Sequence, residues 1–373
     1  MSPLSAQQRQ IPWGIDLLEE ALRIQSLTGQ EHNLAEFLRG IMEAKGFEAY
    51  VDGSGSAVGI LGNGSRQLVM MGHMDTVPGI VPVRRENGCL YGRGAVDAKG
   101  PLCGFVLAAA ALKDLIEASD WQVVVIGATE EESAYSKGAN HAASRFRPEL
   151  CIIGEPSSSG GITLGYKGRL LIEGDFTRGS QHTAAPGPSV TETALKLWDQ
   201  IKGVADKFNE GREKVFDHIL PSLRRVSSSD SGLVEECRLV IGLRLPLDYS
   251  PFEAENMVRA WVNQARRDGT LPETVSSTIR FIGHESAYKS TRDSLLARSL
   301  VAAIREEGIR PAFKNKTGTA DFNVVGPIWN CPMVAYGPGD SSLDHTPHEH
   351  VPIEEFERGV RVLTRALEMI VKS

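Results

Sequence analysis

Short apolar runs recur along the first half of the chain and once more near its end. The clearest of them span residues 67–71, 121–127, 150–153 and 333–336, and each leads into glycine, acidic or histidine residues. Runs of this length and composition are typical of buried strands. The first 165 residues alternate such runs with helix-like segments, which is the order of elements that a mostly parallel sheet requires.

The middle of the chain follows a different order. Between residues 166 and 284 the pattern predicts a strand, a helix, a second strand, a second helix and a third strand. A chain of 373 residues also exceeds what one ordinary hydrophobic core holds. We therefore predict an α/β protein in which residues 1–165 and 285–373 form one domain around a mostly parallel sheet. Residues 166–284 would form an inserted α+β domain that serves as a lid or a dimerisation surface.

His73 and Asp75 directly follow the first apolar run. Residues two apart on an extended chain point to the same side, so the Asp75 carboxylate could accept a hydrogen bond from the ring nitrogen of His73 that faces away from a metal. The alternative is a histidine held at a strand end beside a turn-forming aspartate. This pair alone does not separate the two interpretations.

Further acids and histidines follow later apolar runs or turns that contain glycine or proline. They are Asp97, Glu130, Glu131, Glu132, Glu155, His345, His348 and His350. Three adjacent glutamates are ordinarily a solvated loop, but adjacent residues of an extended chain face opposite ways, so one could bind a metal while its neighbour acts on a water. Because ligands of open α/β sheets collect at the strand ends, the recurrence favours a buried metal site.

The composition limits the classes of function. The net charge of −7 and the pI near 5.8 argue against nucleic acid or an anionic membrane surface as a partner. The start of the chain has no apolar signal core, and no stretch of about eighteen apolar residues occurs. The five cysteines are an odd number without paired spacing, which fits reduced thiols. We therefore expect a cytoplasmic enzyme.

Five segments together resemble one family of enzymes. They are GHMDTVP from Gly72, GRGAVDAKGP from Gly92, TEEE from Thr129, GEPS from Gly154 and HTPHEHV from His345. In this order they resemble the signatures of the dinuclear zinc aminoacylase and carboxypeptidase family, which also contains acetylornithine deacetylases and succinyl-diaminopimelate desuccinylases. The resemblance runs from about residue 72 to residue 351 and covers most of the chain.

The resemblance implies two divalent metal ions, with zinc as the first expectation and cobalt as the second. The ligands that it implies are His73 and Glu155 for one ion, Glu132 and His345 for the other, and Asp97 as a bridge between them. It also implies Glu131 as the general base, which takes a proton from the metal-bridging water that attacks an amide carbonyl and delivers it to the leaving amine. Asp75 would act beside the metals by orienting His73.

Two positions within these motifs have an alternative. The glutamate triplet also permits its first two members as base and ligand. We choose Glu131 and Glu132, because the family has an acid before its base and a glycine about six positions past the ligand. Of the histidines, His345 fits the family spacing, whereas His348 stands where the family more often has asparagine or aspartate. The roles of His348 and His350 stay open.

Two residues of the inserted domain complete the expected site. His182 lies in a segment that resembles the family's G-x-x-H element, whose histidine enters the active site of the partner subunit and donates to the substrate carbonyl. Arg244 is similar to a lid arginine that grips substrate carboxylates in some relatives. Without the resemblance, His182 would be interpreted as a turn residue, and Arg244 could equally be a solvated strand residue. A homodimer is therefore expected.

Three segments narrow the range of candidate substrates. LGYKGR at 164–169, KNKTGTADFN at 314–323 and GPGDSSLDHTPHEH at 337–350 are most similar to hydrolases of lysine or arginine biosynthesis, which release lysine or ornithine from a small acidic amino-group carrier protein. Those enzymes cut the amide to the γ-carboxyl of the carrier's C-terminal glutamate. The alternatives are a deacetylase of acetyl-lysine or acetylornithine, then a dipeptidase or desuccinylase acting on a small N-acyl substrate. A non-catalytic relative is disfavoured, because the base and all implied ligands are present.

Overall fold

The computed structural model describes residues 13–182 and 186–373. Within these ranges the chain forms two compact units. The first contains the chain up to Gly165, Ser290–Lys314 and Ala320–Ser373, and the second contains Tyr166–Lys289 and Asn315–Thr319. Each unit has its own cluster of buried apolar residues. The use of the second unit as a lid or a dimerisation surface stays a prediction.

The helices alternate with strands along most of the chain. In order they are α1 (Ile15–Arg23), α2 (His32–Ala44), α3 (Lys99–Ala111), α4 (Lys113–Glu117), α5 (Lys137–Arg145), α6 (Val190–Asn209), α7 (Pro251–Arg267), α8 (Leu295–Glu306), α9 (Asp321–Trp329) and α10 (Ile353–Val371). Most bury one apolar stripe, as surface helices do. Helix α3 differs, because its residues from Lys99 to Ala109 are all buried.

The strands of the first unit have eight residues or fewer, and four strands of the second unit have ten to twelve. In order they are β1 (Glu48–Val51), β2 (Ala57–Leu61), β3 (Arg66–His73), β4 (Arg84–Glu86), β5 (Cys89–Tyr91), β6 (Trp121–Ala128), β7 (Leu150–Gly154), β8 (Gly161–Tyr166), β9 (Gly168–Gly179), β10 (Leu220–Asp230), β11 (Val234–Leu245), β12 (Ser276–Glu285), β13 (Tyr288–Lys289), β14 (Ala312–Lys316), β15 (Met333–Ala335) and β16 (His350–Pro352). Two short 3-10 helices occupy Val215–Asp217 and Ser341–Leu343.

The first unit is built on a sheet with the strand order β1-β2-β6-β3-β7-β15-β8. Strands β6, β3, β7 and β15 run parallel to one another, whereas β1, β2 and β8 pair antiparallel at the two sides. The prediction of an α/β fold with a mostly parallel sheet is confirmed. The central strands are buried and apolar over most of their length, and helices such as α3, which packs on β3, β6 and β7, cover the sheet.

The parallel register places several strand ends at one edge of this sheet. His73, the last residue of β3, pairs with Ala128 at the end of β6, and Gly72 pairs with Gly154 at the end of β7. Strand β3 extends two residues past the apolar run 67–71, because its pairing with β6 continues to His73. The acids that follow β6 and β7 therefore begin beside His73.

A second, small sheet joins two segments that are distant in sequence. It has the order β16-β5-β4, and His350 pairs with Tyr91 while Val351 pairs with Leu90. This pairing holds the loop after β15 against the segment that leads to Asp97. The small sheet was not predicted, because its strands have only three residues each and carry no apolar run.

The second unit has a four-stranded antiparallel sheet with the order β10-β11-β9-β12, on which α6 and α7 pack. Each of these two helices begins with a capping box, formed by Ser189 with Glu192 and by Ser250 with Glu253. The sequence predicted only three strands here. Strand β10 was missed because it is an edge strand with mostly exposed residues, so it lacks an alternating apolar pattern.

In the described part of the chain, no helix combines the length and the apolar character needed to traverse a lipid bilayer.

Candidate metal centre

Nitrogen and oxygen atoms of six side chains come together near the ends of β3, β6 and β7. They form three groups, in each of which one ligand atom per residue lies within 4.8 Å of the others. The groups are His73, Glu131 and Glu132; His73, Asp97 and Glu155; and Asp97, Glu132 and His345. Because the groups share members, we treat these six residues as one ligand cluster. Among the described residues, neither Glu130 nor His348 belongs to any of the three groups.

The Asp97 carboxylate lies between the two histidines of the ligand cluster. Its Oδ1 is 3.1 Å from Nε2 of His73, and its Oδ2 is 2.9 Å from Nε2 of His345. The same Nε2 of His345 is 2.8 Å from Oε1 of Glu132. One carboxylate oxygen thus faces each histidine, which is the arrangement expected of a ligand shared by two ions.

The chemistry of this donor set fits divalent metal ions. Zinc binds imidazole nitrogens and carboxylate oxygens at about 2.0–2.2 Å, so the ligands of one ion lie within a few ångströms of one another. The ligand cluster offers two imidazoles and four carboxylates at such spacings. Oxygen and nitrogen donors without thiolates also suit other first-row divalent ions, so the donor set by itself does not select zinc.

The cluster perturbs the ionisation of its members. Burial raises the pKa of Glu131 well above that of an ordinary glutamate, and Glu155 and Asp321 raise it further. Burial acts in the same sense on Asp97, but His345 and His73 outweigh it and hold the Asp97 pKa below its usual range. Hydrogen bonds with Asp97 and Glu132 raise the pKa of His345 to about 10. Metal binding at His345 therefore competes with protonation of its imidazole.

Glu349 fixes the loop that carries Asp97. Its fully buried carboxylate accepts hydrogen bonds through Oε1 from the backbone N–H groups of Gly94, Val96 and Asp97, at 3.0, 3.0 and 3.1 Å. Its other oxygen accepts one from Nη1 of Arg93 at 2.7 Å. Charge-assisted bonds of this kind are the stronger ones in proteins. Glu349 therefore holds the backbone from which the Asp97 side chain extends.

Asp75 has a different set of contacts from the one that its spacing predicted. Nδ1 of His73 is 2.8 Å from the backbone carbonyl oxygen of Asp75 and 3.6 Å from its carboxylate, which is beyond hydrogen-bond distance. The carboxylate instead accepts the backbone N–H groups of Glu131 and Glu132, both at 3.0 Å, and the hydroxyl of Thr28 at 2.9 Å. The side-chain hydrogen bond expected between His73 and Asp75 is therefore corrected to a backbone one.

The sequence profile of Peptidase family M20/M25/M40 matches residues 69–369. The chain belongs to this family. The predicted family is thereby confirmed, and with it the predicted class of enzyme, a metal-dependent hydrolase of amide bonds.

Two relatives within the M20 family are similar over nearly the whole chain. A LysW-lysine hydrolase of Deinococcus radiodurans is 44% identical over 361 residues, which cover 95% of this chain and 96% of the relative. A provisional LysW-lysine/LysW-ornithine hydrolase of Pyrococcus furiosus is 36% identical over 353 residues, again covering 95% of this chain and 96% of the relative.

Solved structures of M20 proteins share the fold. The M20 family metallo-carboxypeptidase Sso-CP2 of Sulfolobus solfataricus superposes with a TM-score of 0.77 at 17% identity, over 95% of this chain and 98% of that one. At this level of identity the likeness concerns the fold alone.

The two predicted residues of the second unit of this M20 chain lie apart from one another. Arg244 lies on β11, and its Nη1 donates to the hydroxyl of Thr319 at 2.7 Å. His182 follows β9, is exposed, and lines a cavity of about 450 Å³ together with Arg178 and Glu235. The ligand cluster belongs to the first unit. The roles of His182 and Arg244 stay predictions.

Sequence reasoning did not predict the burial of two acids of this M20 chain. Glu349 was noticed only as part of a motif, because nothing in the sequence shows that it meets a loop more than two hundred residues earlier. Asp321, at the start of α9, is 2% exposed, and its Oδ1 is buried without a hydrogen-bond partner in the described structure. Burial raises the pKa of Asp321 to about 7.

Proposed function

We propose that this chain is a metal-dependent hydrolase that releases lysine from the γ-carboxyl group of the C-terminal glutamate of a small acidic amino-group carrier protein. The observation that carries the proposal is the 44% identity with a LysW-lysine hydrolase over 95% of the chain. The reaction adds water across the amide, so the carrier regains its γ-carboxylate and lysine leaves with a free α-amino group.

The ligand cluster supports a pair of divalent ions at this site. His73 and Glu155 would hold one ion, Glu132 and His345 the other, and Asp97 would contact both, because its two oxygens face the two histidines. Zinc is the metal that we propose first. Bound ions of this kind acidify water to a pKa of about 7 and polarise a carbonyl group.

Glu131 would be the general base. It lies in the ligand cluster with His73 and Glu132, yet it is not needed to complete either set of ligands. Its carboxylate would accept a proton from the attacking water and later donate it to the nitrogen of the leaving lysine. Asp75 would hold the backbone of Glu131, so that the carboxylate stays in reach of the reacting atoms.

The second unit would supply contacts to the substrate. Arg244 would bind a substrate carboxylate, because a guanidinium pairs with a carboxylate through two hydrogen bonds. His182 would donate to the substrate carbonyl in the active site of a partner subunit, which requires a homodimer. Its exposure supports a role outside its own unit.

Ornithine is the second candidate for the released amino acid, because the name of the Pyrococcus furiosus relative includes both lysine and ornithine. The two side chains differ by one methylene group. One methylene group in a pocket changes kcat/KM by roughly 10–200-fold. Comparing kcat/KM for carrier-linked lysine and carrier-linked ornithine therefore shows whether the enzyme prefers one amino acid or uses both.

A turnover panel tests the proposal. Zinc-loaded protein would be given carrier-linked lysine, carrier-linked ornithine, N-acetyl-lysine, N-acetylornithine and succinyl-diaminopimelate, and product amine would be measured. We expect the highest kcat/KM with one of the carrier-linked amino acids. A higher kcat/KM for either N-acetyl substrate would replace the carrier hydrolase with a deacetylase.

A further inference from the structure

The turn that follows β6 contains three consecutive glutamates, but only Glu131 and Glu132 belong to the ligand cluster. The backbone N–H groups of all three are bound by buried carboxylates. Asp75 accepts those of Glu131 and Glu132, as described above. The N–H of Glu130 donates to Oε1 of Glu31 at 3.1 Å. We call residues 130–132 the glutamate turn.

Glu31 is a buried acid to which the site described so far gives no role. It immediately precedes α2 and is 4% exposed. The same Oε1 also accepts the backbone N–H of Gly29 at 3.0 Å. Burying a carboxylate is costly unless hydrogen bonds to the charged form offset the loss of water, and bonds from backbone N–H groups do so.

The hydrogen bond that Glu31 accepts comes from Glu130, the residue at which the turn changes direction. Glu130 has a φ of 60°, in the left-handed region that residues with a side chain seldom adopt. Such a conformation persists where the surroundings hold it. With the backbone in this conformation, the Glu130 carboxylate lies 3.6 Å from Nζ of Lys137, whereas Glu132 reaches His345 at 2.8 Å.

The segment that contains Glu31 is hydrogen-bonded to the residues that follow His73. The hydroxyl of Ser26 donates to the carbonyl oxygen of Met74 at 2.7 Å, and the N–H of Thr76 donates to the carbonyl oxygen of Ser26 at 2.9 Å. The hydroxyl of Thr28 binds the Asp75 carboxylate. The position of Glu31 is thus fixed relative to β3, and the glutamate turn is fixed relative to Glu31.

We propose that Glu31 is a positioning residue: by holding the N–H of Glu130 it determines, together with Asp75, which two glutamates of the turn face the ligand cluster. The catalytic part of this inference rests on the proposed function, because Glu131 and Glu132 are the base and a ligand only in that account. The structural part does not depend on it. Without the Glu31 carboxylate, the N–H of Glu130 loses its acceptor and the turn gains freedom.

Hydrogen–deuterium exchange of the metal-free protein tests the structural part. The variants are Glu31→Ala, which removes the acceptor, Glu31→Gln, which keeps an acceptor oxygen, and Glu36→Ala. Glu36 is a matched control, since it lies on α2 and only pairs with Arg39 near the surface. We expect faster exchange in a peptide spanning residues 129–133 for Glu31→Ala alone. If Glu31→Ala does not fold, Glu31→Asp, which withdraws the carboxylate by one methylene, replaces it.

Kinetics of the zinc-loaded variants test the catalytic part. A misplaced base lowers kcat and leaves ground-state binding alone, so we expect Glu31→Ala to lose roughly tenfold to a hundredfold in kcat with KM nearly unchanged. Glu31→Gln should recover most of the rate, and Glu36→Ala should match the wild type. Unchanged exchange in the peptide would overturn the proposal, and so would a kcat that matches the wild type in Glu31→Ala.

The two proposals fail in distinguishable ways. If the wild-type protein hydrolyses none of the amides in the turnover panel, the proposed function fails, while the exchange experiment still decides whether Glu31 holds the glutamate turn. If the wild type is active on a carrier-linked amino acid, and Glu31→Gln but not Glu31→Ala keeps most of its kcat, both proposals are supported. If Glu31→Gln is as slow as Glu31→Ala, hydrogen-bond acceptance by Glu31 is not what the rate depends on, and the positioning role is overturned.

Discussion

Four carboxylates, those of Asp97, Glu131, Glu132 and Glu155, share the ligand cluster with only two imidazoles. Like charges this close repel one another, and burial further disfavours the charged forms. Both effects contribute to the raised pKa of Glu131, of which burial is the larger. Divalent cations would offset this repulsion, and because they would bind the folded chain and not the unfolded one, they would also stabilise the fold.

The glutamate turn offers a direct comparison of two neighbouring residues. Changing Glu131→Gln removes the proton acceptor but keeps the size of the side chain, so we expect kcat to fall by about 10²–10⁴-fold. Metal content measured by mass spectrometry should stay at the wild-type level. Glu130→Gln is the matched control, because the Glu130 side chain faces Lys137 instead of the cluster, and it should keep kcat within about threefold of the wild type.

Two results would contradict the choice of Glu131 and Glu132 as the base and ligand. One is loss of metal in Glu131→Gln, which would make Glu131 a ligand. The other is loss of activity in Glu130→Gln with Glu131→Gln active, which would move the base one residue earlier.

At the scale of elements, the strands whose ends bear the ligands were predictable. The runs that became β3, β6 and β7 are apolar over their length, and a covered parallel sheet requires such runs. Their carboxyl ends meet at one edge, so acids and histidines that follow them in sequence come together in space. For that reason the pattern pointed to a metal site at this edge. The assignment of the individual ligands, with Asp97 and His345 among them, came from the resemblance to the family.

Other elements left no such pattern in the sequence. Strand β10 is exposed along most of its length, and the three-residue strands β4, β5 and β16 are too short to show a period. The contacts of Glu31 and Glu349 are between a carboxylate and backbone N–H groups. Backbone donors are the same in every residue, so no side-chain pattern reveals which loop a buried acid will meet.

The contacts of Glu349 lead us to expect that removing its side chain destabilises the loop that carries Asp97. Changing Glu349→Ala leaves three backbone N–H groups and the largely buried Arg93 without their acceptor. Removing one partner of a buried ion pair costs about 3–5 kcal/mol, so the thermal melting temperature should fall by roughly 5 °C or more. Glu354→Ala is the control, because its pair with Arg358 is exposed, and it should change the melting temperature by about 1–2 °C at most. Equal melting temperatures for the two variants would contradict the role given to Glu349.

At the scale of the whole molecule, the residues proposed for catalysis are divided between two compact units. The ligand cluster and Glu131 belong to the first unit, whereas His182 and Arg244 belong to the second. The proposed roles of His182 and Arg244 would add contacts from the second unit, and His182 is proposed to come from a second copy of the chain.

Complementation tests the origin of His182. A His182→Ala variant and a Glu131→Gln variant should each be nearly inactive, because one lacks the carbonyl donor and the other the base. If subunits exchange in a dimer, mixing the two forms one complete site per mixed dimer, and about a quarter of the wild-type rate should return at equal concentrations. Sedimentation velocity on the same samples would show whether dimers form. Mixed dimers, detected by pull-down of one variant through an affinity tag on the other, without recovered activity would contradict a histidine supplied by the partner.

The central claim is that amide hydrolysis by this protein depends on ions held in the ligand cluster. The most direct measurement follows the release of lysine from its carrier by metal-stripped protein as zinc is added, with bound metal counted in the same samples. The account predicts no turnover without metal and a rate that rises with bound zinc until about two ions per chain are held. Full turnover by protein that holds no metal, or by an Asp97→Ala variant, would contradict it.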